Sequence, residues 1–196
     1  VRIAAVILAA GAGTRVGGPK ALLTLGGQTF LARLARLFDR PGLELVLAVL
    51  GHQAERVAAE AGAPASLRLV GNPRHAEGML TSVWAGLEEA ERAGAEAVLL
   101  HPVDHPLVSG ATIDRVAAAL AEGALLAVPS FADRRGHPGG FARAVWPELR
   151  AASPEEGARA VLRRHPSRLV HVPGEEGCVA GIDTPEDYAR LVGGPA

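Results

Sequence analysis

The 196-residue sequence predicts an α/β fold on a mostly parallel sheet, and three observations carry that expectation. Ile3 to Ala9 is an unbroken apolar run of strand length, the pattern of a strand buried on both faces. Four further short apolar runs follow, separated by segments of helical, amphipathic periodicity. The first run empties directly into a glycine-rich loop that ends on Lys20.

The elements follow in order. Phe30, Leu31, Leu34, Leu37 and Phe38 put an apolar helical face on Gln28 to Phe38, and Pro41-Gly42 ends it. Leu43 to Leu50 reads as the second buried strand, Gln53 to Ala61 as a short helix, and Ser66 to Val70 as a third strand. Leu80 to Ala93 is helical, with Val83, Trp84 and Leu87 opposite Glu88, Glu89, Glu91 and Arg92. Ala95 to Leu100 is the fourth strand, Ser109 caps a helix running through Leu120, and Ala124 to Val128 is the fifth strand. Phe131 to Gly140 is rich in glycine and charge and is expected to be a loop crossing the front of the sheet. Arg143 to Leu149 and Glu155 to His165 are expected to be helical, and Leu169 to Val172 a strand. Pro185 to Val192 should close the chain as a helix capped by Thr184, with Gly193-Gly194-Pro195-Ala196 fraying beyond it. There is no internal repeat, and residues 1–196 read as a single domain.

Composition narrows the classes. A net charge of -1 gives no general pull toward nucleic acid or anionic membrane. The single cysteine, Cys178, excludes an internal disulfide and a cysteine zinc cluster, and fits a reducing cytoplasm. The first apolar run is too short for a transmembrane helix and lacks the flanks of a signal peptide.

Lys20 is the only lysine among twenty lysines and arginines. The glycine loop before it fits neither of two well-known phosphate motifs. A P-loop needs serine or threonine after its lysine, and Ala21 stands there. The dinucleotide fingerprint needs glycine where Val16 stands, and an acidic residue where the second strand ends in Gly51-His52. What remains is a longer loop. Gly11, Gly13, Gly17 and Gly18 let the backbone approach a ligand, while Thr14, Arg15 and Lys20 add a hydroxyl and two charges, chemistry for a triphosphate.

Leu8-Ala-Ala-Gly-Ala-Gly-Thr-Arg-Val-Gly-Gly-Pro-Lys20 resembles the signature of the MobA-like NTP transferase family. That resemblance implies a three-layer, Rossmann-like nucleotidyltransferase fold. It assigns the loop, with Ala9, Ala10, Gly11, Gly13 and Thr14, to the NTP, and Arg15 and Lys20 to the transition state. His101-Pro-Val-Asp104-His-Pro follows the fourth strand, at the sheet edge where such folds bind ligands. By resemblance Asp104 holds Mg²⁺, and capping of the next turn is its plain alternative. His101 and His105 invite a histidine metal site, but a hard ion on phosphates prefers oxygen.

Asp183-Thr-Pro-Glu-Asp187 resembles the family's close, whose first aspartate meets the same Mg²⁺; helix capping is the alternative for Asp183. Asn72, Gly78 and Ser82 match the segment that contacts base and ribose, although Thr81 and Ser82 also suit a helix start. Arg135-Gly-His137-Pro and Glu156-Gly-Ala-Arg159 resemble the cofactor-cytidylylating branch, which puts His137 and Arg159 toward the second substrate. A satisfied loop histidine is the other reading of His137.

The resemblance implies Mg²⁺-dependent transfer of CMP from CTP to a phosphate-bearing acceptor, molybdopterin, with loss of pyrophosphate. Docking to a molybdoenzyme that receives the product is left open by the sequence. CTP is the expected base because Ala9-Ala10-Gly11 is commoner in pyrimidine users. The alternatives within the fold are guanylyl transfer and sugar- or polyol-phosphate nucleotidyl transfer. Outside it stands a non-catalytic nucleotide-binding accessory protein, against which the second carboxylate argues.

Overall fold

β1 spans Ile3–Ala9 in the computed structural model, which describes residues 1–153 and 156–193. Every β1 residue is buried. Its odd-numbered side chains join one apolar cluster and its even-numbered ones the other, as the two-residue period of a strand requires. After the glycine loop come β2 (Thr24–Leu25) and β3 (Gln28–Thr29), a small antiparallel hairpin. Gln28 and Thr29 therefore lie outside the first helix. Thr29 is extended and its Oγ1 accepts from the Ala32 N–H at 3.1 Å, which starts α1 at Phe30 and runs it to Phe38.

β4 (Leu45–Leu50), α2 (Ala54–Glu60), β5 (Arg68–Gly71) and α3 (Met79–Arg92) come next. They lead to β6 (Ala97–Pro102), α4 (Gly110–Ala121) and β7 (Leu126–Phe131). Ser109 caps α4, its Oγ accepting from the Thr112 N–H at 3.1 Å.

The segment expected to be a loop is different. β8 (Arg134–Arg135) pairs with β7, and β9 (Gly139–Ala142) enters the sheet between β6 and β7, antiparallel to both. Its first two residues are Gly139 and Gly140, which carry no side chain to display an alternating pattern. Gly140 gives α4 room to pack closely. A Cβ would stand 3.0 Å from side-chain atoms of both Val116 and Leu120 on α4.

α5 (Trp146–Ala151), α6 (Arg159–Arg164), β10 (Leu169–Pro173) and α7 (Pro185–Tyr188) complete the chain, with a π-helical turn over Ala189–Gly193. α6 covers only part of the helix expected over 155–165, because residues 156–158 form a turn in which Gly157 takes φ 63°. Its expected first residue, Glu155, and the tail residues 194–196 lie outside the described residues.

The main sheet runs β10-β7-β9-β6-β1-β4-β5, with β8 on β7. All neighbours on that path are parallel except those of β9. Residues of α1, α2 and α4 bury one face of the sheet and those of α3, α5 and α6 the other, giving three layers. No helix of the described residues is long and apolar enough to cross a membrane. β1 lies between β4 and β6, so the chain winds away from it in both directions. That reversal opens a crevice at the carboxyl ends of β1 and β6, where the glycine loop and Asp104 emerge.

Candidate active site

The loop after β1 is folded back on one carbonyl. Gly13 O accepts from the N–H groups of Val16 (3.0 Å) and Gly18 (3.1 Å). Gly13 sits at φ 61°, and a Cβ there would lie 1.9 Å from Gly18 O, so only glycine closes this turn. Pro19 then starts a single 3₁₀ turn at Lys20–Leu22, which delivers the lysine to the crevice.

Asp104 leaves the end of β6 on a turn tied to its surroundings by backbone bonds. Val103 N–H donates to Leu8 O (3.0 Å), His105 N–H to Pro102 O (3.2 Å), and Ile182 N–H to Asp104 O (2.9 Å). The last bond joins the turn to the residue before Asp183. Asp183 itself is held by a capping box: Thr184 Oγ1 accepts from the Asp187 N–H, and Asp187 Oδ2 accepts from the N–H groups of Asp183 and Thr184, each at 3.1 Å. Capping is thus done by Thr184 and Asp187, and Asp183 stays free to face the crevice.

Residues 163 positions apart meet here. Lys20 Nζ donates to Asp104 Oδ2 at 2.9 Å and to Asp183 Oδ1 at 2.5 Å, and Arg15 Nη2 reaches the same Asp183 oxygen at 3.3 Å. Burial works against the Lys20 ammonium, but its bonds to the two carboxylates outweigh that and raise its pKa. The hydrogen bond from Lys20 in turn lowers the pKa of Asp183. Asp104 Oδ1 is buried without a hydrogen-bond partner, with His105 Nε2 4.0 Å away. An orphaned carboxylate oxygen beside a second carboxylate fits a hard divalent cation, although no cluster of three or more ligating side chains forms among the described residues.

A cleft of about 200 Å³ opens over this group, lined by Gly11, Gly13, Thr14, Arg15, Lys20 and Asp104 together with Leu8, Met79, Pro102 and Val103. Met79 is the residue that motif reasoning passed over. Its sequence signal was its being the only methionine, beside Gly78, and the structure leaves it 61% exposed at the start of α3. Asp183 itself lines a second, polar cavity of about 390 Å³, where His105, His137, Arg134, Arg135, Arg159 and Arg190 meet Glu176 and Asp187. Burial pushes His105 and His137 below the ordinary histidine value, and the Arg159 charge adds to this.

Other predicted contacts turn inward. Asn72 is 5% exposed, and its amide donates to Thr81 Oγ1 and Ser82 Oγ, each at 2.9 Å, while its Oδ1 accepts from the Arg74 N–H. Asn72 therefore ties the loop before α3 to Thr81 and Ser82 in the first turn of the helix, which Gly78 N-caps. The Ala9 and Ala10 side chains are buried, and Ala10 O accepts from the His52 N–H.

The profile of the MobA-like NTP transferase domain matches residues 5–169. The chain belongs to the MobA-like NTP transferase family. This MobA-like chain is 36% identical over 203 residues to a molybdenum cofactor guanylyltransferase of Cereibacter sphaeroides, covering 97% of itself and 95% of the relative. It is 37% identical over 139 residues to the 2-C-methyl-D-erythritol 4-phosphate cytidylyltransferase of Thermobifida fusca, covering 66% of itself and 55% of that enzyme. The crystal structure of Rv0371c from Mycobacterium tuberculosis superposes with a TM-score of 0.83 at 30% identity, covering 99% of both chains. A manganese complex of that protein superposes with a TM-score of 0.74 at 29% identity, covering 98% of both. The three-layer α/β chain is a nucleotidyltransferase of this family.

Proposed function

We propose that this transferase moves GMP from GTP onto the phosphate of a molybdopterin-type acceptor, releasing pyrophosphate. The observation that carries the reading is the Lys20 ammonium held between Asp104 and Asp183 beside the glycine loop, which unites a triphosphate half and a metal half in one crevice. Guanine takes the place of the cytosine expected from Ala9-Ala10-Gly11. What supports guanine is that relatives named molybdenum cofactor guanylyltransferase match nearly end to end at 35–36% identity.

In this reading the acceptor phosphate attacks the α-phosphorus in line, a P–O bond to the acceptor forms, and the bond to the β-phosphate oxygen breaks. A phosphate monoester is largely dianionic near neutral pH, its second pKa being about 6, so the attack requires no general base. Loop amides, Thr14 and Arg15 hold the β- and γ-phosphates. Lys20 turns from the carboxylates to the phosphate oxygens and stabilises charge as it develops. Asp104 and Asp183, released from the ammonium, would hold Mg²⁺. When bound, that ion neutralises phosphate charge and orients the reacting oxygens. His105, Arg134, Arg135, His137, Arg159 and Arg190 receive the acceptor, whose anionic phosphate suits an arginine-rich wall. A single free, buried cysteine fits a cytoplasmic setting for this work, and delivery of the product to a molybdoenzyme is the consistent next step.

The test is pyrophosphate release with GTP, CTP, UTP or ATP, with and without molybdopterin. Turnover with GTP and molybdopterin together is expected. Turnover confined to CTP would overturn the base, and turnover with a polyol phosphate alone would overturn the acceptor. Triphosphate binding that yields no pyrophosphate with any acceptor would point to an accessory protein.

A further inference from the structure

The geometry points to His101 as the positioning residue for Asp104, an inference that rests on Asp104 being a metal ligand. His101 lies on β6 with 0% of its surface exposed, among the alanine, valine, leucine and proline residues that make up the rest of that strand. Its Nε2 is 3.0 Å from the backbone oxygen of His105. A carbonyl oxygen can only accept, so Nε2 carries the ring proton and Nδ1 is left as a bare acceptor. That Nδ1 is buried without a partner. Leaving a buried polar atom unsatisfied costs about 1–3 kcal/mol, and an apolar side chain at this strand position would avoid the cost. What the imidazole supplies in exchange is the second nitrogen.

That nitrogen completes the anchoring of one turn. The turn from Pro102 to His105 is already fixed by the bonds Val103 N–H to Leu8 O, His105 N–H to Pro102 O and Ile182 N–H to Asp104 O. The His105 carbonyl is the next polar group along it, and His101 holds it. Phe38, with its ring centroid 5.1 Å away, and His137, at 6.3 Å, confine the His101 ring. Burial, with a smaller contribution from the charge of His105, pushes the His101 pKa down to about 3, so the neutral donor form persists over the working pH range. Without the bond the turn keeps its ties to Leu8 and Ile182 but loses the one that holds it just beyond Asp104, at His105. The Asp104 and Asp183 carboxylates then lose the register that a shared cation needs, since ligand groups are oriented by what holds them from behind.

The experiment measures Mn²⁺ binding by electron paramagnetic resonance, with the α,β-methylene analogue of whichever triphosphate supports turnover. His101→Leu should bind Mn²⁺ at least about 10-fold more weakly than the native protein, the lower end for loss of an outer partner of a metal ligand. Its kcat should fall while its KM for the triphosphate stays nearly unchanged. His101→Gln, whose side-chain N–H can reach the same carbonyl, should recover most of the affinity. Thermal melts accompany each variant, and His101→Met provides a second donor-free side chain should the leucine variant fail to fold. Mn²⁺ affinity equal to the native value in a folded Leu or Met variant would overturn the assignment, as would a Gln variant no better than Leu. Asp104→Asn separates the two levels. If it binds Mn²⁺ normally, the metal reading fails and this proposal with it; if it loses Mn²⁺ while His101→Leu does not, only the positioning role fails.

Discussion

Lys20 shows how much one side chain can report about a site. Its ammonium sits where two carboxylates would otherwise repel each other, so without substrate it satisfies both. A triphosphate offers it a denser cluster of anionic oxygens, and leaving the carboxylates frees them for a cation. Lys20→Ala should therefore lower kcat by about 100-fold or more, the loss typical of a transition-state donor. Steady-state pyrophosphate release checks this, and turnover at the native level would remove Lys20 from the chemistry. Arg15, Lys20, Asp104 and Asp183 were singled out by resemblance to the family's motifs, and the fold brings these four side chains together. Asn72 and Ser82 were legible as polar residues of the right loop, but not in their direction. A side chain that can both donate and accept is equally suited to a ligand and to its own loop, and only packing decides between them.

At the scale of elements, the strands and helices written in apolar periodicity emerged with ends shifted by a few residues. β1 matches its expected span, and α7 begins at Pro185 behind the Thr184 cap as expected. β9 is the instructive failure. It has no readable period because two of its four residues are glycine, and α4 lies against one of them, Gly140. Gly140→Val should destabilise the fold by about 1–3 kcal/mol, the usual cost of forcing carbon into a packed interior. Chemical denaturation measures it, and an unchanged midpoint would show that Val116 and Leu120 yield freely. The insertion also matters for function. β9 follows His137, so pairing it between β6 and β7 brings the arginine-bearing β8 segment and His137 beside the Asp183 side of the crevice.

For the whole molecule, three histidines clustered edge to face tie stability to pH. His101, His105 and His137 are each held below the ordinary histidine value, chiefly by burial. Around His105, the Asp104 and Asp183 charges oppose that shift, and those of Lys20 and Arg159 add to it. The unfolded chain takes up these protons as pH falls through about 6.5, while the folded chain refuses them, so stability falls with pH over that range. For His101 the loss continues until pH reaches about 3. Each proton so excluded costs about 1.4 kcal/mol per pH unit. The Asp183 pKa is depressed, so the stability drawn from its pairing with Lys20 is present at neutral pH and disappears only as pH falls below the ordinary carboxylate range. The melting temperature should thus drop steadily from pH 7 to 4.5, with proton uptake on unfolding measurable by calorimetry in buffers of different ionisation heat. A flat profile over that interval would contradict the burial of the three rings.

By itself the sequence determined the layered α/β class, the glycine loop and its lysine, the two aspartates and the family they imply. These are properties of local pattern: apolar periodicity, glycine spacing and residue type survive being read one position at a time. Only the tertiary structure decided that Lys20 bridges carboxylates from the middle and the end of the chain, that Asn72 points inward, that a glycine strand splits the parallel sheet, and that four arginines gather at one cavity. Those facts depend on which distant segments touch. Contact is settled by the packing of two apolar layers against one sheet, and no short stretch of sequence contains it.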